Sequence, residues 1–247
     1  MGKIADCVAL ISGSNRGLGE AFCEGLLQAG AAKIYAAARD PSTFRTRNSR
    51  VVPIKLDVTS ISDVESAATI CRDTTILVNN AGLLRDSPML AEDAELAARQ
   101  EMETNYFGVL SMVHRFAPIL SRNGGGAIVN VLSVASWFTN PFMATYSASK
   151  AAEEVLTDAI RMQLRSQKTH VVGVYAGYID TDMAAHVNFP KTSPQQVVAR
   201  SLAGVETEID RVFADDRAIE IDQRVRTDRT AFYEELQQRW NQAGTQK

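Results

Sequence analysis

The chain has few of the residues that cross-link small folds or hold metals. It contains three cysteines and three histidines in 247 residues, with no CxxC pair and no histidines at ligand spacing. Cys7, Cys23 and Cys71 all fall in predicted strands or helices. This pattern argues against a disulfide framework and predicts no metal site.

Long hydrophobic runs and an excess of positive charge are also lacking. No apolar run approaches the ~18 residues of a transmembrane helix. The net charge is −3, with 26 basic and 29 acidic residues, whereas nucleic acids and anionic membranes favour a basic face. The first residues lack a signal-peptide pattern and a complete myristoylation pattern. We therefore expect no nucleic-acid partner, no membrane partner and a reducing, cytoplasmic location.

The chain does contain a regular alternation of short apolar runs and longer amphipathic stretches. Such runs are typical of strands covered on both faces, and the alternation predicts right-handed crossovers and a parallel sheet. No linker or repeat divides the chain, so we predict one α/β domain over 1–247. Its doubly wound sheet forms three α/β/α layers, and 215–247 is a charged, mostly helical C-terminal tail.

The predicted strands are Cys7–Ser12, Lys33–Ala38, Val51–Lys55, Thr75–Asn79, Ala127–Val131, Val171–Ala176 and Arg211–Ala214. The predicted helices are Gly17–Ala29, Ser62–Cys71, Leu96–Leu120, Thr145–Ser166, Pro194–Ile209 and one near Ala231–Trp240. Ligands of such sheets bind at the carboxyl ends of the strands, so residues that directly follow a strand are the candidates for a site.

A glycine-rich turn links the first strand to the first helix, where residues 12–19 read SGSNRGLG. Gly13 can make the tight turn, Gly17 can let the backbone approach a phosphate, and Gly19 can let the helix pack on the strand. The helix N-terminus would then meet a pyrophosphate. Alone, such a turn is equally consistent with a simple tight connection, but its place between strand and helix favours a nucleotide site.

Arg39 follows the second strand, where an acid would bind the ribose hydroxyls of NAD. Arg39 and Arg16 together suit a 2′-phosphate, so we predict NADP(H) in preference to NAD(H). Asp40, the next residue, is the main argument for the opposite preference. Asp57, after the third strand, can accept a hydrogen bond from the adenine amino group or serve only as a turn residue.

Tyr146 and Lys150 stand four residues apart, thirteen residues after Ser133. In a helix they share one face, so the Lys150 ammonium can lower the pKa of the Tyr146 phenol. Ser133 can hydrogen-bond the same substrate oxygen as charge develops on it. Seen alone, a Tyr–Lys pair at this spacing is usually only a surface pair. The three residues together can move a proton onto or off a carbonyl oxygen.

From Ile4 to about Ala214, the chain resembles the classical short-chain dehydrogenases/reductases. The matching pieces are the SGxxxGLG loop, Asp57-Val58, Asn79-Asn80-Ala81-Gly82, Asn105, Ser133, Tyr146-x-x-x-Lys150, and Gly177 to Thr181. The resemblance implies a Rossmann-like fold and an NADP(H)-dependent carbonyl reductase or alcohol dehydrogenase.

The resemblance also implies roles for individual residues. Tyr146 would be the general acid or base, Ser133 would steady the substrate oxygen, and Asn105 would hold a water that links Lys150 to solvent. The implied catalytic residues are Asn105, Ser133, Tyr146 and Lys150. The implied cofactor residues are Gly13, Ser14, Asn15, Arg16, Gly17, Leu18, Arg39, Asp57, Val58, Asn80, Ala81, Gly82, Tyr146, Lys150, Gly177, Ile179 and Thr181.

Two departures from the family pattern stand out. Ala176 precedes Gly177 where the family commonly has proline, and a charged helical segment replaces a final strand, which argues against a tetramer built on that strand. The long helices still favour a homodimer or homotetramer. Their apolar stripe of Met102, Tyr106, Val109, Val113 and Phe116 fits an interface or the protein's own core equally well.

Apolar residues near the predicted site favour a mostly apolar ketone or secondary alcohol as substrate. Each can instead be ordinary core packing. The segment Asp182–Ser193 is predicted to be mobile until cofactor binds. The alternative function is a catalytically silent NADP-sensing or signalling protein on the same fold. The candidate wall residues are Leu84, Met89, Trp137, Phe138, Phe142, Tyr178, Met183 and Phe189.

Overall fold

The computed structural model describes residues 3–44 and 48–244. One seven-stranded sheet has the order β3-β2-β1-β4-β5-β6-β7, and all neighbouring strands are parallel. The strands are β1 (Val8–Ser12), β2 (Lys33–Ala38), β3 (Val51–Lys55), β4 (Ile76–Asn79), β5 (Gly126–Val131), β6 (Thr169–Tyr175) and β7 (Arg211–Phe213). The helices are α1 (Gly17–Gln28), α2 (Ile61–Ile70), α3 (Ala94–Met102), α4 (Val109–Arg122), α5 (Ala144–Leu164), α6 (Pro194–Glu206), α7 (Asp216–Thr227) and α8 (Arg229–Gly244).

The sheet is buried on both faces, which explains why its strands are almost continuously apolar. On one face, Phe22 and Leu26 of α1 and Val197 of α6 pack in a core with alternate strand residues. On the other, Phe116 of α4 and Leu156 of α5 pack in a second core. The prediction of a Rossmann-like, doubly wound, three-layer α/β/α fold is confirmed.

The strand order reverses at β1, because β2 and β3 lie to one side of it and β4 to β7 to the other. In doubly wound sheets this switch opens a crevice at the carboxyl ends of the central strands. The glycine turn after β1, Asn80 after β4 and Ser133 beyond β5 therefore meet at one edge of the sheet.

The predicted helix Leu96–Leu120 is interrupted. A π-helical turn, Glu103–Gly108, separates α3 from α4. Asn105 lies in this turn, and its side chain bonds to the chain after β4 instead of facing solvent. π-turns widen the helix and are frequent at functional sites. A periodicity of apolar residues cannot reveal such a turn, because the apolar face continues through it.

The C-terminal segment forms two helices that pack on the rest of the protein. Ala218 and Ile221 of α7 and Phe232 of α8 make a small core with Val134, which follows Ser133. The helix α7 lies within the predicted helical tail, but it was not predicted as a separate helix or as a packed one, since its charged composition resembles a solvated stretch. Residues 245–247 of the predicted tail lie outside the described residues.

Helices formed by the described residues are all too short or too polar to cross a membrane.

Candidate active site

Tyr146 and Lys150 lie in the first two turns of α5, beside the chain that leaves β5. The Lys150 ammonium lies 5.9 Å from the centroid of the Tyr146 ring and donates a hydrogen bond of 2.9 Å to the Val131 carbonyl. Ser133 caps a short 3-10 turn, where its hydroxyl accepts from the Ala135 amide at 3.1 Å. The structure thus brings together the three residues that the sequence selected.

The pKa of Tyr146 lies above its ordinary value, contrary to the sequence expectation. Burial of the phenol raises this pKa most, and the charge of Lys150 and a hydrogen bond with Ser133 only partly oppose the burial. The carboxyl of Glu153 raises the pKa further. Before any ligand binds, the phenol therefore holds its proton at neutral pH, which suits a proton donor.

Glu153 is the residue of this cluster that sequence reasoning missed. Its carboxylate is 1% exposed and accepts a hydrogen bond of 2.6 Å from the Lys150 ammonium. Burial raises the pKa of Glu153 to about 7, while Lys150 lowers it. In the sequence, Glu153-Glu154 looks like a solvated acidic pair; the available signal was that Glu153 follows Lys150 by three residues in a helix.

Asn105 ties three segments together from the π-turn. Its side-chain oxygen accepts from the Leu83 amide at 2.8 Å, and its nitrogen donates to the Leu83 carbonyl and the Ser149 hydroxyl, both at 2.9 Å. Asn105 is fully buried, so its side chain does not face solvent. It fixes the start of α5, where Tyr146 lies, against the chain that follows β4.

The glycine turn has the geometry of a phosphate cradle. Gly13 and Gly17 have φ values of +65° and +57°, which favour glycine. A Cβ at Gly19 would lie 2.2 Å from the Gly13 carbonyl oxygen, so only glycine fits there. The turn opens onto the N-terminus of α1, where backbone amides can meet an anion.

Polar contacts hold the cradle in place. Asn80 donates to the carbonyls of Ser12 and Gly13, at 2.9 and 3.0 Å, and the Ser12 hydroxyl accepts from the amides of Asn80 and Ala81. Ser14 is buried and donates to the Ala37 carbonyl at 3.2 Å. Asn80 and Ser14 therefore shape the turn itself. Gly82 and Leu18 line the same cleft.

The chain after β2 and β3 lines one end of the same cleft. Asn15 donates to the Thr43 hydroxyl at 3.1 Å, and Asp57 accepts from the amide and hydroxyl of Thr59 in the turn before α2. Arg39 is exposed on the same cleft. The Asp40 carboxylate is already used as a cap, because it accepts from the Ser42 amide and hydroxyl.

Arg16 spans the cleft and contacts the opposite loop. Its guanidinium pairs with Asp182 at 2.8 Å, and both side chains are exposed. The sequence grouped Arg16 with Arg39, whereas the structure directs Arg16 to the loop after β6.

The loop after β6 closes the other end of the cleft. The Gly177 amide donates to Asp215, which also caps α7, and Ile179 forms an isolated bridge with Thr192. Thr181 contacts the glycine turn, because a Cβ at Gly17 would lie 3.3 Å from its methyl group. The mobility of Asp182–Ser193 stays a prediction.

A single cleft of about 1710 Å³ takes in the glycine turn, Ser133, Tyr146 and Lys150. Six of the eight predicted wall residues line it: Leu84, Phe138, Phe142, Tyr178, Met183 and Phe189. Trp137 does not, because its ring stacks on Tyr175 and meets Phe213 edge-on. Met89 is exposed outside the cleft. The helices α7 and α8 supply a further wall that includes Arg217 and Leu236.

This arrangement of fold, cradle and Ser–Tyr–Lys cluster agrees with the comparisons to known proteins. A sequence model of the short chain dehydrogenase family matches residues 7–191. The chain belongs to this family of oxidoreductases, which confirms the resemblance seen in the sequence.

The chain is similar to a short chain dehydrogenase from Burkholderia cenocepacia J2315, solved in complex with NADP. The two are 42% identical with a TM-score of 0.91, over 94% of this chain and 98% of the other. A short-chain dehydrogenase/reductase from Burkholderia phymatum, in complex with NAD, shares the fold at 22% identity and a TM-score of 0.80, over 89% of this chain and 92% of the other.

Among curated proteins, the short-chain dehydrogenase PC-15 of Penicillium crustosum is 35% identical over 180 residues. The match covers 70% of this chain and 65% of PC-15. The chain therefore spans slightly less than two thirds of the length of that relative.

Proposed function

We propose that the protein is an NADP(H)-dependent oxidoreductase of the carbonyl reductase or alcohol dehydrogenase type. Its substrate would be a mostly apolar ketone or the corresponding secondary alcohol. The observation that carries the proposal is the shared cleft. Tyr146, Ser133 and Lys150 open into the same space as a glycine turn built to approach phosphate.

The residues of the cluster divide the work on the substrate oxygen. In reduction, the Tyr146 phenol donates its proton to the carbonyl oxygen, and the Ser133 hydroxyl donates a hydrogen bond to it. The Lys150 ammonium stabilises the phenolate that remains. In oxidation, the phenolate accepts the proton from the alcohol. The bound nicotinamide would supply or accept the hydride.

The residues fit a dinucleotide phosphorylated on the adenosine ribose. Gly13, Gly17 and Gly19 form the cradle for the pyrophosphate. Arg39 stands exposed after β2, while Asp40 caps the following turn. Support comes from the relative of 42% identity that was solved with NADP. Val58, Ala81 and Gly177 would contact the nucleotide, and the Ile179 backbone and the Thr181 hydroxyl would orient its carboxamide.

Asn105 would support proton exchange through its backbone. Its side chain already makes three hydrogen bonds, so a water that links Lys150 to solvent would bind the Asn105 main-chain carbonyl. The π-turn supports this proposal, because it alters the hydrogen bonding of the carbonyl groups there.

The wider proposals concern assembly, location and domain organisation. The stripe of Val109, Val113 and Phe116 packs in the protein's own core, whereas Val155 and Met162 are 72% and 74% exposed on α5. Such apolar exposure supports a homodimer or homotetramer. The three buried free cysteines support a reducing, cytoplasmic location. Contacts of α7 and α8 with Val134 support one catalytic domain over 1–247.

The substitution Tyr146→Phe tests the proposal directly. It removes the proton donor and keeps the ring, so we expect turnover of a ketone with NADPH to fall by roughly 10²–10⁴-fold. NADPH binding, followed by fluorescence titration, should change by less than about threefold. Near-normal turnover would reject Tyr146 as the acid.

A further inference from the structure

One wall of the substrate half of the cleft comes from the C-terminal helices and carries more arginines than acids, since Glu220 and Glu235 also line it. Arg217 and Arg224 of α7 and Arg239 of α8 line it. Resting on the proposed function, we propose that Arg217 binds a carboxylate of the substrate. The substrate class is then a ketone or secondary alcohol with an apolar body and one carboxylate group.

The guanidinium of Arg217 is held in a defined position by aromatic rings. It lies 5.5 Å from the ring centroids of both Tyr178 and Phe189, and these rings stack on each other at 5.9 Å. The carbons of the Arg217 side chain pack on Gly177, where a Cβ would lie 2.8 Å from them. A cation at this distance is attracted by the faces of aromatic rings. A guanidinium placed in this way can bind a carboxylate with two hydrogen bonds.

The nearby acids are already engaged elsewhere. Asp215 accepts from the amides of Gly177 and Ala218, Asp216 pairs with Arg200, and Glu220 lies 3.6 Å from Arg224. Within residues 3–44 and 48–244, no carboxylate lies at ion-pair distance from Arg217. Arg224 differs, because it also pairs with Glu235 at 2.5 Å. Asp86, which also lines the cleft, lies 3.1 Å from His186. Arg217 therefore makes no ion pair of its own, although Asp215, Asp216 and Glu220 are near it in the sequence of α7.

The position of Arg217 in α7 has an energetic cost in the absence of an anion. It is the second residue of a twelve-residue helix, whose N-terminus carries a partial positive charge that disfavours cations. A bound carboxylate would meet both the guanidinium and this end of the helix. Asp215 and Asp216 at the same helix end offset part of this charge, so the placement only adds to the argument from the unpaired guanidinium in the cleft.

The same position separates Arg217 from the 2′-phosphate end of the proposed cofactor. Arg39 follows β2, whereas Arg217 packs on Gly177 after β6. Four strand spacings divide β2 from β6 in the sheet, which is roughly 19 Å at about 4.8 Å each. Arg217 thus lies at the end of the cleft where the wall residues Tyr178 and Phe189 face the substrate.

Binding of matched probe pairs tests the inference without requiring turnover. The probes are 4-oxopentanoate, 7-oxooctanoate and 4-oxo-4-phenylbutanoate, each beside its methyl ester. Calorimetry measures their affinity for the full-length protein, both alone and with saturating NADP⁺. We expect at least one acid to bind about tenfold or more tightly than its ester, as a charged bidentate hydrogen bond would provide.

Variants assign that preference to Arg217. Arg217→Gln should reduce the acid-over-ester ratio to below about twofold, and Arg217→Lys should keep part of it. Arg226→Gln is the matched control, because Arg226 lies on the same helix and pairs with Asp222 outside the cleft. Thermal melting should show that Arg217→Lys and Arg226→Gln are folded. Esters should bind all the variants about equally.

Three results would overturn the inference. The first is that the unaltered protein shows no preference for any acid over its ester. The second is that the preference persists in Arg217→Gln. The third is that Arg217→Gln loses affinity for NADPH, which would mean that Arg217 binds the cofactor instead of the substrate. Failure of the proposed function is a separate result, because a protein that binds the acids through Arg217 but reduces no ketone would refute only the chemistry.

Discussion

At the scale of single residues, the buried pair of Lys150 and Glu153 sets the electrostatics of the candidate site. The ammonium that should favour a Tyr146 phenolate is balanced by a carboxylate 2.6 Å away. The net charge of the pair is close to zero when both groups are ionised. Its effect on Tyr146 is therefore weaker than that of a lone lysine, which favours the proton-donating form of the phenol.

Glu153 should make stability depend on pH over a definite window. Its pKa is about 7 in the folded protein against an ordinary value of 4.5, so the folded state holds this proton more tightly than the unfolded chain. The stabilisation from this proton is complete below about 4.5 and is lost as the pH rises through about 7. The free energies of unfolding of the unaltered protein and of Glu153→Gln can be measured in urea at each pH. The value for the unaltered protein minus that for Glu153→Gln should fall by on the order of 3 kcal/mol across that window.

In Glu153→Gln, the buried Lys150 lacks its partner and binds its proton more weakly. Its loss of that proton as the pH rises would also lower the stability of the unaltered protein relative to Glu153→Gln. Glu154→Gln is the control, since Glu154 contacts Trp137 and Arg211 instead of Lys150. A relative stability that is flat or rises between pH 4.5 and 7 would contradict this assignment for Glu153.

The proposed preference for NADP(H) depends, at the residue scale, on Arg39. Removing its guanidinium in Arg39→Ala should weaken NADPH about tenfold or more and NADH by less than about twofold, because only NADPH has a 2′-phosphate. Fluorescence titration of both nucleotides measures the two affinities. Arg99→Ala removes an arginine that pairs with Glu95 on α3, and should change neither. Equal weakening of both nucleotides would count against NADP(H).

At the scale of elements, the strands could be predicted because strands buried on both faces appear in the sequence as short, nearly continuous apolar runs. All seven observed strands fall within three residues of the predicted bounds. The π-turn at Glu103–Gly108 could not be predicted, since it depends on hydrogen bonds between Asn105 and Leu83, a partner 22 residues away. The role of α7 was equally hidden, because few of its residues are buried.

The glycine turn shows why its motif restricts sequence so strongly. In Gly19→Ala the new Cβ would meet the Gly13 carbonyl oxygen at 2.2 Å and Ser14 Cα at 2.7 Å. Both are backbone atoms, so the turn must move. We expect the free energy of unfolding, measured in urea, to fall by about 2–3 kcal/mol and NADPH to bind about tenfold more weakly.

Gly124→Ala provides the comparison for that substitution. Gly124 has φ +90°, but a Cβ there meets nothing within 4 Å. Gly124→Ala should lower the free energy of unfolding by about 1 kcal/mol through backbone strain alone and leave NADPH binding unchanged. If Gly19→Ala behaved like Gly124→Ala, the close packing of helix on strand would not be the reason for glycine at position 19.

At the scale of the whole molecule, the cleft unites parts that are far apart in the chain. The glycine turn is near the start, the Ser–Tyr–Lys cluster is central, and Arg217 comes from α7. The sequence motifs located the first two because each is local. Arg217 could not be located in this way, since its partners Tyr178 and Phe189 lie 28 or more residues earlier and meet it only in the folded protein.

The exposed apolar face of α5 gives the last prediction. Val155 and Met162 are seven residues apart, so they share one face of the helix, and a face of this kind gains stability when a second copy covers it. Light scattering should give at least twice the 27.0 kDa of one chain. Met162→Glu should lower this mass toward the monomer, because a charge cannot be buried there without a partner. Ile70→Glu, at an exposed isoleucine of α2, should leave the mass unchanged, and a monomeric unaltered protein would refute the α5 interface.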